Sequence, residues 1–149
     1  MPKAIVDSST IRGKYSVVEH TADIGIVVKA SSKEEVFALA ACAMFDLMVD
    51  ISKVRPTQKA EISVEAGSLE ELMVTWLNEL VYRAEVSGMF FSRFEVNSVS
   101  DRSLTATAKG EPYNEKEHPL GENVKAATYH QLDVSRSGPE WIAKIIFDV

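Results

Sequence analysis

The chain has 149 residues and a mass of 16.5 kDa, with 46% hydrophobic and 26% charged residues, 7 Gly and 5 Pro. These values fit one globular domain with a sizeable core, and they exclude collagen-like, mucin-like and wholly disordered chains. The formal charge is −6 and the pI about 5.1, so the surface repels phosphate backbones and favours a basic partner protein or a cation; no direct nucleic-acid binding is expected.

The single cysteine, Cys42, excludes an internal disulfide and a cysteine-cluster metal site. A disulfide-free chain suits a reducing cytoplasm, the expected location. The longest apolar run, residues 36–45, falls far short of the roughly 20 residues that span a bilayer. The first ten residues carry no continuous apolar stretch of signal-peptide type, so no membrane association is expected.

Residues 1–13 show no clear period and read as a poorly tied lead-in broken off at Gly13. Residues 15–20 and 24–30 read as strands, and Ile24, Ile26, Val28 and Ala30 share one face. The polar corner between them holds His20 and Asp23. Ser32, three residues before Glu35, opens a helix by the capping-box pattern; Val36, Leu39, Ala40, Ala43 and Leu47 form its stripe. Phe37, Ala41, Met44, Phe45 and Met48 widen that stripe, and the helix is expected to end near Asp50. Residues 59–66 alternate as a half-buried strand. Ser68 and Glu71 repeat the capping box ahead of a second helix with Leu69, Leu72, Met73, Trp76, Leu77, Leu80 and Val81 on one face, closed by Gly88.

Residues 89–99 and 103–110 read as a hairpin, 111–123 as a solvated loop, and 124–134 and 141–149 as two more strands. The class expected from this order is α+β: two layers, with two amphipathic helices packed on one face of a mainly antiparallel sheet.

No glycine-rich phosphate loop, GxSxG or HExxH occurs, and three His with one Cys give no zinc spacing. Asp23 has two readings, a turn former bonding its own backbone or a ligand. Asp148 shares a period-two face with Ile142, Lys144 and Ile146, so pairing with Lys144 is the plain alternative there. His130 falls on the face of Val124, Ala126, Leu132 and Val134, where a hydrogen-bonded core histidine is expected. In a chain that ends at Val149, the last strand places a side-chain and a terminal carboxylate side by side. With Asp23 they make three hard oxygen donors, suited to Ca²⁺, Mg²⁺ or Mn²⁺.

The segment Glu19-His20-Thr21-Ala22-Asp23-Ile24-Gly25 resembles the archease family, as do Gly110-Glu111-Pro112-Tyr113 with His118. Val124-Lys125-Ala126-Ala127-Thr128-Tyr129-His130 and the ending Phe147-Asp148-Val149 extend the resemblance in consistent order from about Tyr15 onward. Ala127 departs from the branched aliphatic residue expected there. Residues 1–14 lie outside the resemblance as an N-terminal extension, and 15–149 form a single archease-like domain. The resemblance implies a non-enzymatic activator of the RtcB-type tRNA-splicing ligase, which joins RNA ends with GTP through a guanylylated histidine. It implies that the activator promotes guanylylation and multiple turnover. It further implies a divalent cation, Ca²⁺ foremost with Mg²⁺ or Mn²⁺ as alternatives, held by Asp23, Asp148 and Val149. His20, His118, Lys125 and His130 are then candidates for partner contact or site-adjacent roles. Two other classes stand beside this one: a small metal-dependent phosphoesterase using Asp23, His20 and Asp148, and a chaperone-like module in RNA processing.

Overall fold

The structure, a computed structural model, describes residues 3–19 and 23–149. In chain order the strands are β1 (Ala4–Asp7), β2 (Tyr15–Glu19), β3 (Asp23–Ala30), β4 (Gln58–Glu65), β5 (Met89–Val99), β6 (Ser103–Pro112), β7 (Ala126–Ala127), β8 (Asp133–Ser137) and β9 (Glu140–Asp148). Two helices, α1 (Lys33–Met48) and α2 (Leu69–Ser87), and a short 3-10 turn, Ile51–Lys53, complete the fold. Among the described residues no helix is long and apolar enough to cross a membrane.

Both helices start as the capping pattern predicts. The Ser32 hydroxyl accepts from the Glu35 amide at 3.1 Å, and the Ser68 hydroxyl from the Glu71 amide at 3.2 Å. Glu35 reaches back to the Ser31 amide at 2.9 Å, one residue before the place a strict capping box would use. Gly88 ends α2 at φ 67°, a left-handed conformation that glycine adopts without a Cβ clash, and its amide bonds the Arg83 carbonyl.

The α+β class holds, with every strand pairing antiparallel. The strands divide into two sheets: β1-β5-β6-β4, and β2-β3-β9-β7 with β8 also paired to β9. Helix α1 packs against β1 and β5 of the first sheet and against β3 and β9 of the second. Its composition requires this. Residues 36–45 are buried without interruption, and a helix that is apolar all round must be covered on more than one side. Small residues on α1 (Ala38, Ala40, Ala41 and Ala43, all 0% exposed) let both sheets approach closely. Helix α2 keeps a wet face and also touches both sheets; Leu72, Trp76 and Leu80 are fully buried. The Trp76 indole donates to the Phe37 carbonyl at 3.0 Å and ties the two helices together.

Three local expectations change. The lead-in before Gly13 contains β1, which pairs with β5 from Ala4↔Val96 to Asp7↔Arg93; Val6 and Ile11 enter the core. Four residues are too short a run to show a period. Residues 124–134 are not one strand. A turn at His130 and Gln131, with Gln131 at φ 51°, separates β7 from β8. Glu111 does not lie in a solvated loop: it ends β6 and is buried.

Candidate metal centre

Strand alternation sorts β3 and β9 into two faces. Ile24, Ile26, Val28 and Ala30 meet Ala143, Ile145 and Phe147 in the core. The outer face carries Asp23 and Gly25 on β3 and Ile146 and Asp148 on β9. Because the strands run antiparallel in the register Asp23↔Asp148 and Gly25↔Ile146, the first residue of one strand faces the last of the other. Directly opposed side chains have Cβ atoms about 5 Å apart, so the two carboxylates are immediate neighbours.

The surroundings of this pair are specific. A Cβ on Gly25 would come within 2.6 Å of Ile146 Cδ1, so glycine is what lets Ile146 lie across β3. Ile146 is only 1% exposed although it is on the outer face, which gives the carboxylates an apolar neighbour. On the other side of β9, Ala126 pairs with Asp148, and the Lys125 amide donates to the Asp148 carbonyl at 2.8 Å. Val149 turns toward the core and packs on it, fixing the direction of the strand end.

Among the described residues no cation pairs with either carboxylate. Asp23 Oδ1 is buried with no hydrogen-bond partner among the described residues. Lys144 donates to Gln131 Oε1 at 3.2 Å and makes no ion pair with Asp148 among the described residues, so the plain alternative for Asp148 is not what the fold builds. Two opposed carboxylates, one of them with an orphaned buried oxygen, are a donor set that fits a hard divalent cation.

The remaining candidates fall in different places. His20 lies outside the described residues. His118 is fully buried in another network. The Asn114 amide donates to its Nδ1 at 2.9 Å, so the proton is on Nε2, which donates to Glu111 Oε2 at 2.8 Å. Arg55 completes that network. Its backbone amide bonds Glu111 Oε2 at 2.9 Å, its Nε reaches Glu111 Oε1 at 3.3 Å, and its Nη2 reaches Glu117 at 2.9 Å. The Arg55 amide, together with the His118 hydrogen bond and the guanidinium, holds the Glu111 carboxyl below its ordinary range despite its burial. Glu111, Glu117 and His118 have ligand atoms within 4.8 Å of one another, but Arg55 already supplies the cation there. His130 is exposed on the turn after β7, not on an apolar face, because the chain leaves the strand geometry at Thr128. The Lys125 side chain is exposed beside the Asp148 strand end. No sequence signal marked Arg55, an ordinary cation in the segment connecting α1 to β4.

Residues 15–149 match the model of the Archease protein family. The chain belongs to the archease family. A protein archease of Methanopyrus kandleri is 40% identical over 138 residues, covering 91% of this chain and 99% of the relative. One from Methanosarcina mazei is 37% identical over 140 residues, covering 91% and 96%. The solution structure of Methanobacterium thermoautotrophicum protein 1598 superposes with a TM-score of 0.76 at 28% identity, over 91% of this chain and 99% of that one. A crystal structure of an archease from Thermotoga maritima, described as a possible chaperone, shares the fold with a TM-score of 0.63 at 22% identity, over 89% and 94%. The match begins at Tyr15, so β1 belongs to a segment of this archease chain outside the family model.

Proposed function

We propose that this archease-family chain is a metal-binding, non-catalytic activator of an RtcB-type RNA ligase, promoting its guanylylation and multiple turnover. The observation that carries the reading is the register Asp23↔Asp148, which opposes two carboxylates at a strand end beside Val149. Asp23 and Asp148 would hold the cation, with the carboxylate of a chain ending at Val149 as a third donor. A divalent cation supplies neutralisation of charge on phosphate oxygens during guanylyl transfer. The chain's own contribution is positional. Backbone pairing on both sides of Asp148 fixes the acidic end, and the net charge of −6 favours approach to a basic ligase surface.

The test is RNA ligation and ligase guanylylation with substoichiometric cognate ligase, with and without this protein. Multiple turnover only in its presence is expected; equal turnover in both would sink the reading. A phosphoesterase would instead hydrolyse phosphate esters alone with Mg²⁺ or Mn²⁺. A chaperone-like role predicts that Asp23→Ala loses fold and stimulation together, whereas the activator reading predicts a folded protein without stimulation.

A further inference from the structure

The strand that flanks Asp148 is too short to hold itself. β7 has two residues, and a segment without regular secondary structure precedes it. On one side it pairs with β9 through Ala126↔Asp148 and Ala127↔Phe147. Among the described residues its other edge meets no strand but α2, where one side chain takes the place of a neighbouring strand. The Asn78 amide nitrogen donates to the Ala127 carbonyl at 3.1 Å, and the Asn78 amide oxygen accepts from the Ala127 N–H at 2.7 Å. A primary amide carries one donor and one acceptor in the geometry of a peptide group, so Asn78 satisfies both outward polar groups of Ala127. Ala127 is buried, and those groups have no other hydrogen-bond partner among the described residues.

We infer that Asn78 is a positioning residue for the carboxylate pair: by clamping β7 to α2 it holds the Asp148 end of β9 in register with Asp23. The inference rests on the proposed metal reading. The connection runs through contacts already described. Asn78 fixes Ala127; the adjacent Ala126 pairs with Asp148; the Lys125 amide bonds the Asp148 carbonyl. Thr128 fastens the other side, with its amide and its hydroxyl both donating to the Ile146 carbonyl at 2.9 Å. Strand ends fray when few contacts hold them, and a ligand on a frayed end must be ordered at the moment of binding. The clamp removes that requirement from the site without touching the cation.

The experiment compares the parent, Asn78→Ala, Asn78→Asp and the control Trp76→Phe in calcium titration, metal-free melting and backbone amide exchange. Asn78→Ala loses both bonds. Asn78→Asp keeps the acceptor and sets a carboxylate oxygen against the Ala127 carbonyl. Trp76→Phe removes a buried hydrogen bond from the same helix without touching β7. Both Asn78 variants are expected to bind calcium about tenfold or more weakly, the scale of lost support behind metal ligands, and to speed exchange of the Lys125 amide. The control is expected to melt lower with parental calcium affinity and parental Lys125 exchange. Parental affinity and exchange in both Asn78 variants would overturn the inference, as would an equal loss of affinity in the control. A parent that binds no calcium overturns the metal reading. The clamp is then judged on amide exchange alone, and unchanged Lys125 exchange in Asn78→Ala overturns it.

Discussion

Two acidic sites, one in each sheet, answer the same electrostatic problem in opposite ways. In the first sheet Glu95 is buried, and three cations surround it: Arg93 at 2.9 Å, Lys109 at 2.9 Å and Lys3 at 3.1 Å. Hydrogen bonds from Arg93, then Lys109, hold its carboxyl at about 2, below the usual 4.5. At the end of the second sheet Asp23 and Asp148 stand opposite each other, and no cation pairs with either among the described residues. The same fold surrounds one carboxylate with three cations and, among the described residues, sets none against the pair at the strand end. Opposed like charges destabilise a sheet, so the strand-end pair should respond to an added cation where Glu95 does not.

The largest effect expected from this contrast is on metal binding. Asp23→Asn replaces a charged ligand and removes the buried, unpartnered Oδ1 as an anionic donor. Calcium affinity should fall by roughly a hundredfold or more, since hard cations are held by ligand charge count. Isothermal titration with calcium reads this directly; near-parental affinity would show that the cation, if any, binds elsewhere.

The compensated site should respond to mutation through stability. Glu95→Gln leaves Arg93 and Lys109 without their shared anion and should cost on the order of 2 kcal/mol at neutral pH. The sign with pH follows from the depressed value. The stabilisation is fully present above the ordinary 4.5 and is lost as pH falls toward about 2. Parent and variant should therefore converge in urea denaturation between those two values. A constant difference across that range would mean that Glu95 stabilises by packing and not by charge.

The difference between these two sites was only partly legible in the sequence. Helix starts at Ser32 and Ser68 and the stop at Gly88 were legible because capping is local chemistry. The division into two sheets was not, because period-two alternation shows that a strand has an apolar face but not which strand lies beside it. The all-round apolar character of α1 was visible as a widened stripe, and its place between two sheets is the physical consequence. Asp23 and Asp148 stood out through family resemblance; their opposition depends on the β3–β9 register, a long-range property. Residues 124–134 alternate well enough to pass for one strand, but the chain leaves strand geometry at Thr128 and turns through the left-handed Gln131. Asn78 carried no signal, since a single asparagine on a helix's polar side is ordinary.

A smaller effect should follow from altering the strand end without altering an aspartate. In a chain that ends at Val149, extension past that residue replaces a carboxylate by an amide carbonyl. Calcium affinity should fall about tenfold, or about 1.4 kcal/mol, with little change in metal-free melting because the extension leaves the packing of the Val149 side chain in place. Full calcium affinity in the extended protein would remove Val149 from the ligand set.

The smallest effect has the most informative sign. In the absence of metal, Asp148→Asn relieves the repulsion across the Asp23↔Asp148 rung, and the protein should become more stable by ~0.2–1 kcal/mol. The backbone pairing of residue 148 with β3 and β7 is unaffected, and Asp148 is exposed, so the substitution removes charge and little packing. Adding saturating calcium should invert the order, because only the parent gains the linkage term RT ln(1 + [L]/Kd) in full. The comparable change at Glu95 should destabilise with and without calcium. The paired measurement is denaturation of parent, Asp148→Asn and Glu95→Gln in chelator and in calcium. If Asp148→Asn destabilises the chelated protein as Glu95→Gln does, the strand-end pair is already compensated from within the chain, and the contrast between the two sheets disappears.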